Sequence, residues 1–192
     1  MRDVRPAAVA GTFYPGNAAE LAVAVRECLA GTAAPVAPAA SPKALIVPHA
    51  GYVYSGPIAA GAYARLASLR STIRRVVILG PTHRVAVRGL ALPSARAFAT
   101  PMGDVEVDRE AVGALRGLPQ VVVSDSAHAL EHSLEVQLPF LQSVLDDFRI
   151  VPLAVGDASP AEVAEVLDRL WGGPETLVVV SSDLSHFHGY AQ

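Results

Sequence analysis

The chain has 192 residues, of which 52% are hydrophobic and 17% charged, with a mean hydropathy of +0.37. That balance excludes intrinsic disorder, and its apolar runs fall far short of the roughly 18 to 20 residues needed to cross a bilayer. Fifteen basic against eighteen acidic residues, with no basic block, give a net charge of −3 and speak against nucleic acid as the main partner.

The first residues, Met1-Arg2-Asp3-Val4-Arg5-Pro6, lack the apolar stretch of a secretory signal, so a cytoplasmic location is expected. Asn17-Ala18-Ala19-Glu20 reads as a capping box opening an amphipathic helix with Leu21, Val25 and Leu29 on one face. Cys28, the one cysteine, falls on this helix and is expected to be a buried structural thiol. Alone, it excludes an intramolecular disulfide framework and a multi-cysteine zinc site. Ala30 to Pro42, rich in Ala and Pro, reads as a surface connection. Strand-like apolar runs follow at Ala44–Val47, Val76–Leu79, Val121–Val123, Ile150–Leu153 and Leu177–Val180. Such short, continuous runs suit a sheet covered on both faces.

Between these runs lie helix signals. Asp108 is placed to cap a helix through Leu115, with Gly117 to end it. Glu131 to Asp147 carries Leu134, Leu138, Leu141, Val144 and Leu145 at helical spacing, and Pro139 predicts either a kink or a late helix start. Ser159-Pro160-Ala161-Glu162 is a second capping box, with Pro at the first helical position. Gly89 to Met102 breaks the rhythm and reads as a β-hairpin arm or a long loop. The alternation predicts one α/β domain over residues 1–192, a three-layer α/β/α sandwich around a largely parallel sheet.

Histidines recur just beyond the strand runs. His49 follows Ala44–Val47, His83 follows Val76–Leu79, and His186 follows Leu177–Val180 in Ser181-Ser182-Asp183-Leu184-Ser185-His186. Ligands bind at the carboxyl ends of strands in open α/β sheets, so parallel strands would bring these three to one edge. Imidazole at three strand ends suits a metal site or an acid–base site, with Asp183 and Glu131 as available carboxylates. His132, in Glu131-His132-Ser133, sits at an expected helix start, whereas His128 and His188 lack such placement. Tyr52 and Tyr54, between Gly51 and Gly56, either line a pocket or pack by their rings. Phosphate-loop, dinucleotide-binding and nucleophile-elbow signatures are all missing.

These motifs, in this order, resemble the Memo family, whose bacterial members are called AmmeMemoRadiSam system protein B. The matching residues are Arg5-Pro6-Ala7, Gly11-Thr12-Phe13-Tyr14-Pro15, Pro48-His49-Ala50-Gly51-Tyr52 with Tyr54-Ser55-Gly56, and Leu79-Gly80-Pro81-Thr82-His83. They continue with Glu131-His132-Ser133-Leu134-Glu135, Gln137-Leu138-Pro139-Phe140 and Ser181 to His186. The resemblance implies a fold similar to class III extradiol (LigB-type) non-haem iron dioxygenases. It implies His49 and His83 as metal ligands, His186, His132 and Asp183 as catalytic residues, and Tyr52, Tyr54, Glu131 and Ser182 around the pocket. The implied cofactor is a divalent metal, iron first and copper or zinc next, and the implied activity is that of a dioxygenase-like oxidoreductase.

Two other activities remain open on the same residues. One is a non-enzymatic module binding a peptide or small anion, with Tyr52, Tyr54 and Arg84 at the pocket mouth; the other is a metal-assisted hydrolase. The resemblance also implies a pathway shared with a radical-SAM protein and an AMMECR1-like protein, and a small-molecule or peptide substrate. The family's third metal ligand is a cysteine near the C-terminus, to which nothing here corresponds. The expectation is a single Memo-like domain lacking the family's C-terminal segment, with an exposed apolar flank and Asp183 or water closing the metal site.

Overall fold

Strands that are apolar at nearly every position need cover on both faces, and the helices between them supply it. A computed structural model describes residues 3–32 and 41–184. In chain order its elements are β1 (Val4–Arg5), α1 (Ala18–Ala30), β2 (Ala44–Val47), α2 (Tyr52–Tyr63), β3 (Arg75–Pro81), β4 (Leu90–Leu92) and β5 (Ala97–Thr100). Then come β6 (Gly103–Glu106), α3 (Arg109–Leu115), β7 (Val121–Val123), α4 (Asp125–Ala129), α5 (Leu138–Val144), β8 (Arg149–Val155), α6 (Pro160–Leu170) and β9 (Thr176–Ser181). The main sheet has the order β2-β9-β3-β8-β4-β7. Its first four strands run parallel, β4 runs antiparallel to β8, and β7 pairs parallel with β4. Helices α1, α2 and α5 pack together, and α3 packs with α6.

The result is an α/β sandwich around a mixed sheet. Its core is aliphatic: Val76, Val77 and Ile78 of β3, Ile150, Val151 and Leu153 of β8, and Leu177 and Val179 of β9 are all sealed from solvent. The edge strand β2 alternates instead, burying Leu45 and Val47 while Ala44 and Ile46 face outward. Val53, Tyr54 and Ile58 of α2 and Leu184 beyond β9 are further exposed apolar side chains.

The helix starts follow their caps. Asn17 Oδ1 accepts from the amides of Ala19 and Glu20, while at α6 Ser159 and Glu162 exchange both bonds of a capping box. Asp108 caps α3 through Ala111 N, and Gly117, two residues beyond Leu115, takes a φ of +96° that few other residues tolerate. Cys28 is half-buried in α1 rather than fully buried.

Two stretches resolve the alternatives left open by sequence. Residues 131–134 form a loop, followed by a 3-10 turn (Glu135–Gln137) and α5. Pro139 sits in the first turn of α5, so the late start is what occurs. Gly89 to Met102 is neither a hairpin arm nor a long loop: its two strands part between sheets, β4 joining the main one and β5 pairing antiparallel with β6 and parallel with β1 in a small second sheet.

Candidate metal centre

Parallel strands end on the same side, so whatever follows them converges. Val47 of β2 is in register with Ser181 of β9, and β9 pairs in turn with β3. His49, His83 and Asp183 each stand two residues past the end of one of these neighbouring strands. His132 arrives from the 131–134 loop, which lies close against β3 because Gly80 has no side chain. A Cβ there would meet Ser133 Oγ at 2.7 Å, and that hydroxyl donates to the Pro81 carbonyl at 2.9 Å.

His49, His83 and His132 each bring one ring nitrogen to a cluster in which all three atoms lie within 4.8 Å of one another. The ring centroids are 5.2 Å apart for His49 and His83, 5.6 Å for His49 and His132, and 4.5 Å for His83 and His132. Phe13 closes on the outer side of His132, at 4.6 Å between centroids. His49 is buried, His132 intermediate and His83 exposed, so the cluster opens toward solvent along one side.

Glu131 organises two of these rings. Its carboxylate accepts from the amide of His83 at 2.6 Å and from His83 Nδ1 at 2.9 Å. It also accepts from the amides of His132 and Ser133, both at 2.9 Å. Burial pushes this carboxyl upward, but bonds from Ser133 and His83 outweigh it and hold the pKa at about 2. A carboxylate only accepts, so His83 Nδ1 carries the hydrogen and Nε2 keeps the lone pair.

Asp183 holds the other side of the centre. Its carboxylate accepts from the His49 amide at 2.6 Å and lies 3.7 Å from His49 Nε2. Burial pushes the His49 pKa down against the opposing charge of Asp183, and burial likewise lowers that of His132 against Glu131. Both shifts favour neutral imidazole, the form that ligates metals.

The loop carrying Glu131 and His132 is tied down from the N-terminus. Arg5 donates to the carbonyls of His128 and Glu131 and to Glu135 Oε2 at 2.5 Å. Glu135, fully buried, also accepts from the amides of Ala8 and Val9 and from the Tyr14 hydroxyl. Among the described residues every donor facing this carboxylate comes from residues 5–14, so the N-terminal segment and the histidine loop form one unit.

The structure thus brings together His49, His83, His132, Asp183 and Glu131, and sequence had placed all five near one cleft. It supplies His132 as a third nitrogen donor, whereas sequence expected it as a catalytic residue and expected Asp183 or water to close the site. His186 lies outside the described residues, as does His188. Tyr52 is buried, donates to the Val136 carbonyl at 2.7 Å and packs on Tyr14 and Phe140. Tyr54 is 82% exposed. Ser182 Oγ accepts from the amide of Leu184, and Arg84 is exposed. Gln137 and Ser181, both buried, join His49 to the core; both lie in motifs that carry the resemblance, but neither had a role at the site from sequence. Among the described residues no helix is long and apolar enough to cross a membrane.

Fold and site together define an α/β protein with a three-histidine centre at the carboxyl ends of parallel strands. Residues 5–191 match the family described as Memo-like protein. The chain belongs to that family. It is 42% identical to a MEMO1 family protein of Ignicoccus hospitalis, an alignment covering 96% of this chain and 69% of the relative. It is also 40% identical to MEMO1 family proteins of Aquifex aeolicus, over 96% of this chain and 68% of the relative, and of Methanopyrus kandleri, over 98% and 71%.

Proposed function

We propose that the protein is a metal-dependent oxidoreductase of the non-haem type, with His49, His83 and His132 holding a divalent metal. The observation that carries this reading is the convergence of three imidazole nitrogens within 4.8 Å, two from strand ends and one from the 131–134 loop. The donor set fits: burial favours the neutral form of His49 and His132, and nitrogen donors suit iron, copper and zinc. Iron is the reading of choice, in keeping with the family resemblance to extradiol dioxygenases.

When bound, such a metal supplies electron exchange and open coordination positions for a small substrate. The chain's own residues do the rest. Glu131 holds His83 by its Nδ1–H and fixes the ring plane. Asp183, 16% exposed and beside His49, is positioned to take a proton from a substrate hydroxyl. Phe13 narrows the approach at His132. The catechol-type substrate class follows from the resemblance to extradiol dioxygenases.

Metal analysis of the protein after aerobic and anaerobic loading with Fe(II), Cu(II) and Zn(II) tests the centre. Oxygen uptake with catechol-type substrates then tests the chemistry. The wild type is expected to retain about one metal ion per chain, and the His49→Ala, His83→Ala double variant to retain none. Undiminished retention in the double variant would overturn the assignment. Ester or amide hydrolysis by the anaerobic zinc form, with no oxygen uptake by the iron form, would replace the oxidoreductase with a hydrolase.

A further inference from the structure

Behind His49 runs a line of buried polar groups whose donors and acceptors permit a single arrangement. The Pro48 carbonyl only accepts, so the Gln137 side chain turns its Nε2 toward it, at 2.9 Å. Its Oε1 then accepts from the Tyr63 hydroxyl, also at 2.9 Å. The same Nε2 donates to Ser181 Oγ at 2.9 Å. The Ser133 carbonyl likewise only accepts, so the single hydroxyl hydrogen of Ser181 goes there, at 2.6 Å. With that hydrogen committed, Ser181 Oγ can meet its remaining neighbour, His49 Nδ1 at 3.0 Å, only as an acceptor.

His49 is therefore the Nδ1–H tautomer, and its lone pair sits on Nε2. Gln137 and Ser181 are each 1% exposed and Tyr63 is sealed, so solvent does not reach the line to rearrange it. In a histidine the nitrogen left to bind a metal is decided by the bond the other nitrogen makes.

We propose that Gln137 and Ser181 are positioning residues that fix His49 as the Nδ1–H tautomer in the metal-free protein. The Nε2 lone pair is thereby offered to a metal before one arrives. Glu131 performs the same task for His83 by charge, whereas Ser181 and Gln137 do it with neutral groups. The proposal rests on the metal reading above, and its test separates the two.

Long-range proton–nitrogen correlation spectra of the metal-free wild type, with His49 assigned through a His49→Asn variant, report the tautomer directly. His49 is expected as Nδ1–H. Ser181→Ala is expected to show a mixture of tautomers and to bind zinc about 10- to 100-fold more weakly, while Ser181→Thr, which keeps the hydroxyl, recovers both. A wild-type His49 found as Nε2–H overturns the proposal without any variant having to fold. So does a folded Ser181→Ala protein that keeps the pure Nδ1–H form and wild-type zinc affinity. A wild-type His49 found as Nδ1–H in a protein that takes up no zinc, cobalt or iron upholds the relay and overturns the metal reading instead.

Discussion

His128 and the three-histidine centre show two different results of burying imidazole. His128 is 1% exposed; its Nε2 donates to the Ala91 carbonyl at 3.0 Å, and its ring meets Phe98 edge-on. Its Nδ1 is the one buried side-chain polar atom without a partner among the described residues. Burial drives its pKa down to about 4. In the centre, burial also lowers His49 and His132, but Asp183 and Glu131 oppose it. Burial alone makes a histidine neutral. A hydroxyl or carboxylate at Nδ1 orients the ring, with the second nitrogen left for chemistry.

Several measurements would break or sharpen this contrast. The largest effect is expected where the two environments share a support. Arg5 holds the carbonyls of both His128 and Glu131, and Glu135 neutralises Arg5. Glu135→Ala leaves that guanidinium buried without its carboxylate and should cost about 3–5 kcal/mol in urea unfolding. A cost below about 1 kcal/mol would show that the N-terminal segment does not hold the loop.

Next in size is the pH dependence set by His128. The unfolded chain takes up a proton near 6.5, but the folded protein resists until about 4. Stability from this group is therefore complete above about 6.5 and falls as pH drops toward 4, by up to about 3 kcal/mol. His49 and His132 act in the same direction, so the comparison must be with His128→Gln, which retains a donor for Ala91. Unfolding curves between pH 7 and 4 should be flatter for the variant; equal slopes would remove His128 as the cause.

Glu131→Gln should act mainly on the centre. It exchanges the carboxylate that orients His83 for an amide and is expected to weaken metal binding 10- to 100-fold, about 1.4–2.7 kcal/mol. Titration with zinc at pH 7 reads this, and wild-type affinity would show that the four bonds to Glu131 shape the loop but not the ligand. The smallest effect is a control far from both regions. Ser159→Ala removes half the capping box of α6 and should cost about 1 kcal/mol with metal affinity unchanged.

How much of this was legible from the residues varies with the range of the interaction. The caps at Asn17, Asp108 and Ser159 involve neighbours within three positions, and the structure places all three where the spacing did. The apolar runs at Ala44–Val47 and Leu177–Val180 also hold as strands, the second inside the main sheet and the first at its edge with Ala44 and Ile46 facing outward. Pro139 marked the late start of α5 correctly, but His132 was expected at a helix start and stands in a loop, since helical spacing of leucines ignores what the intervening polar groups bind. Glu131 spends its carboxylate on His83, His132 and Ser133, and that demand is met by a loop.

The sequence by itself determined the strand-end placement of His49 and His83, the α/β class and the family. Those follow from local composition and from motif order. Only the tertiary structure decided that His132 joins His49 and His83, that Ser181 and Gln137 orient His49, and that β4 reverses direction against β8. Each of these depends on partners brought together across the fold, such as Arg5 with Glu135 and His49 with Ser181, 130 and 132 positions apart in the chain. Periodicity carries no information over such separations. The directions of the strands and the closeness permitted by Gly80 do.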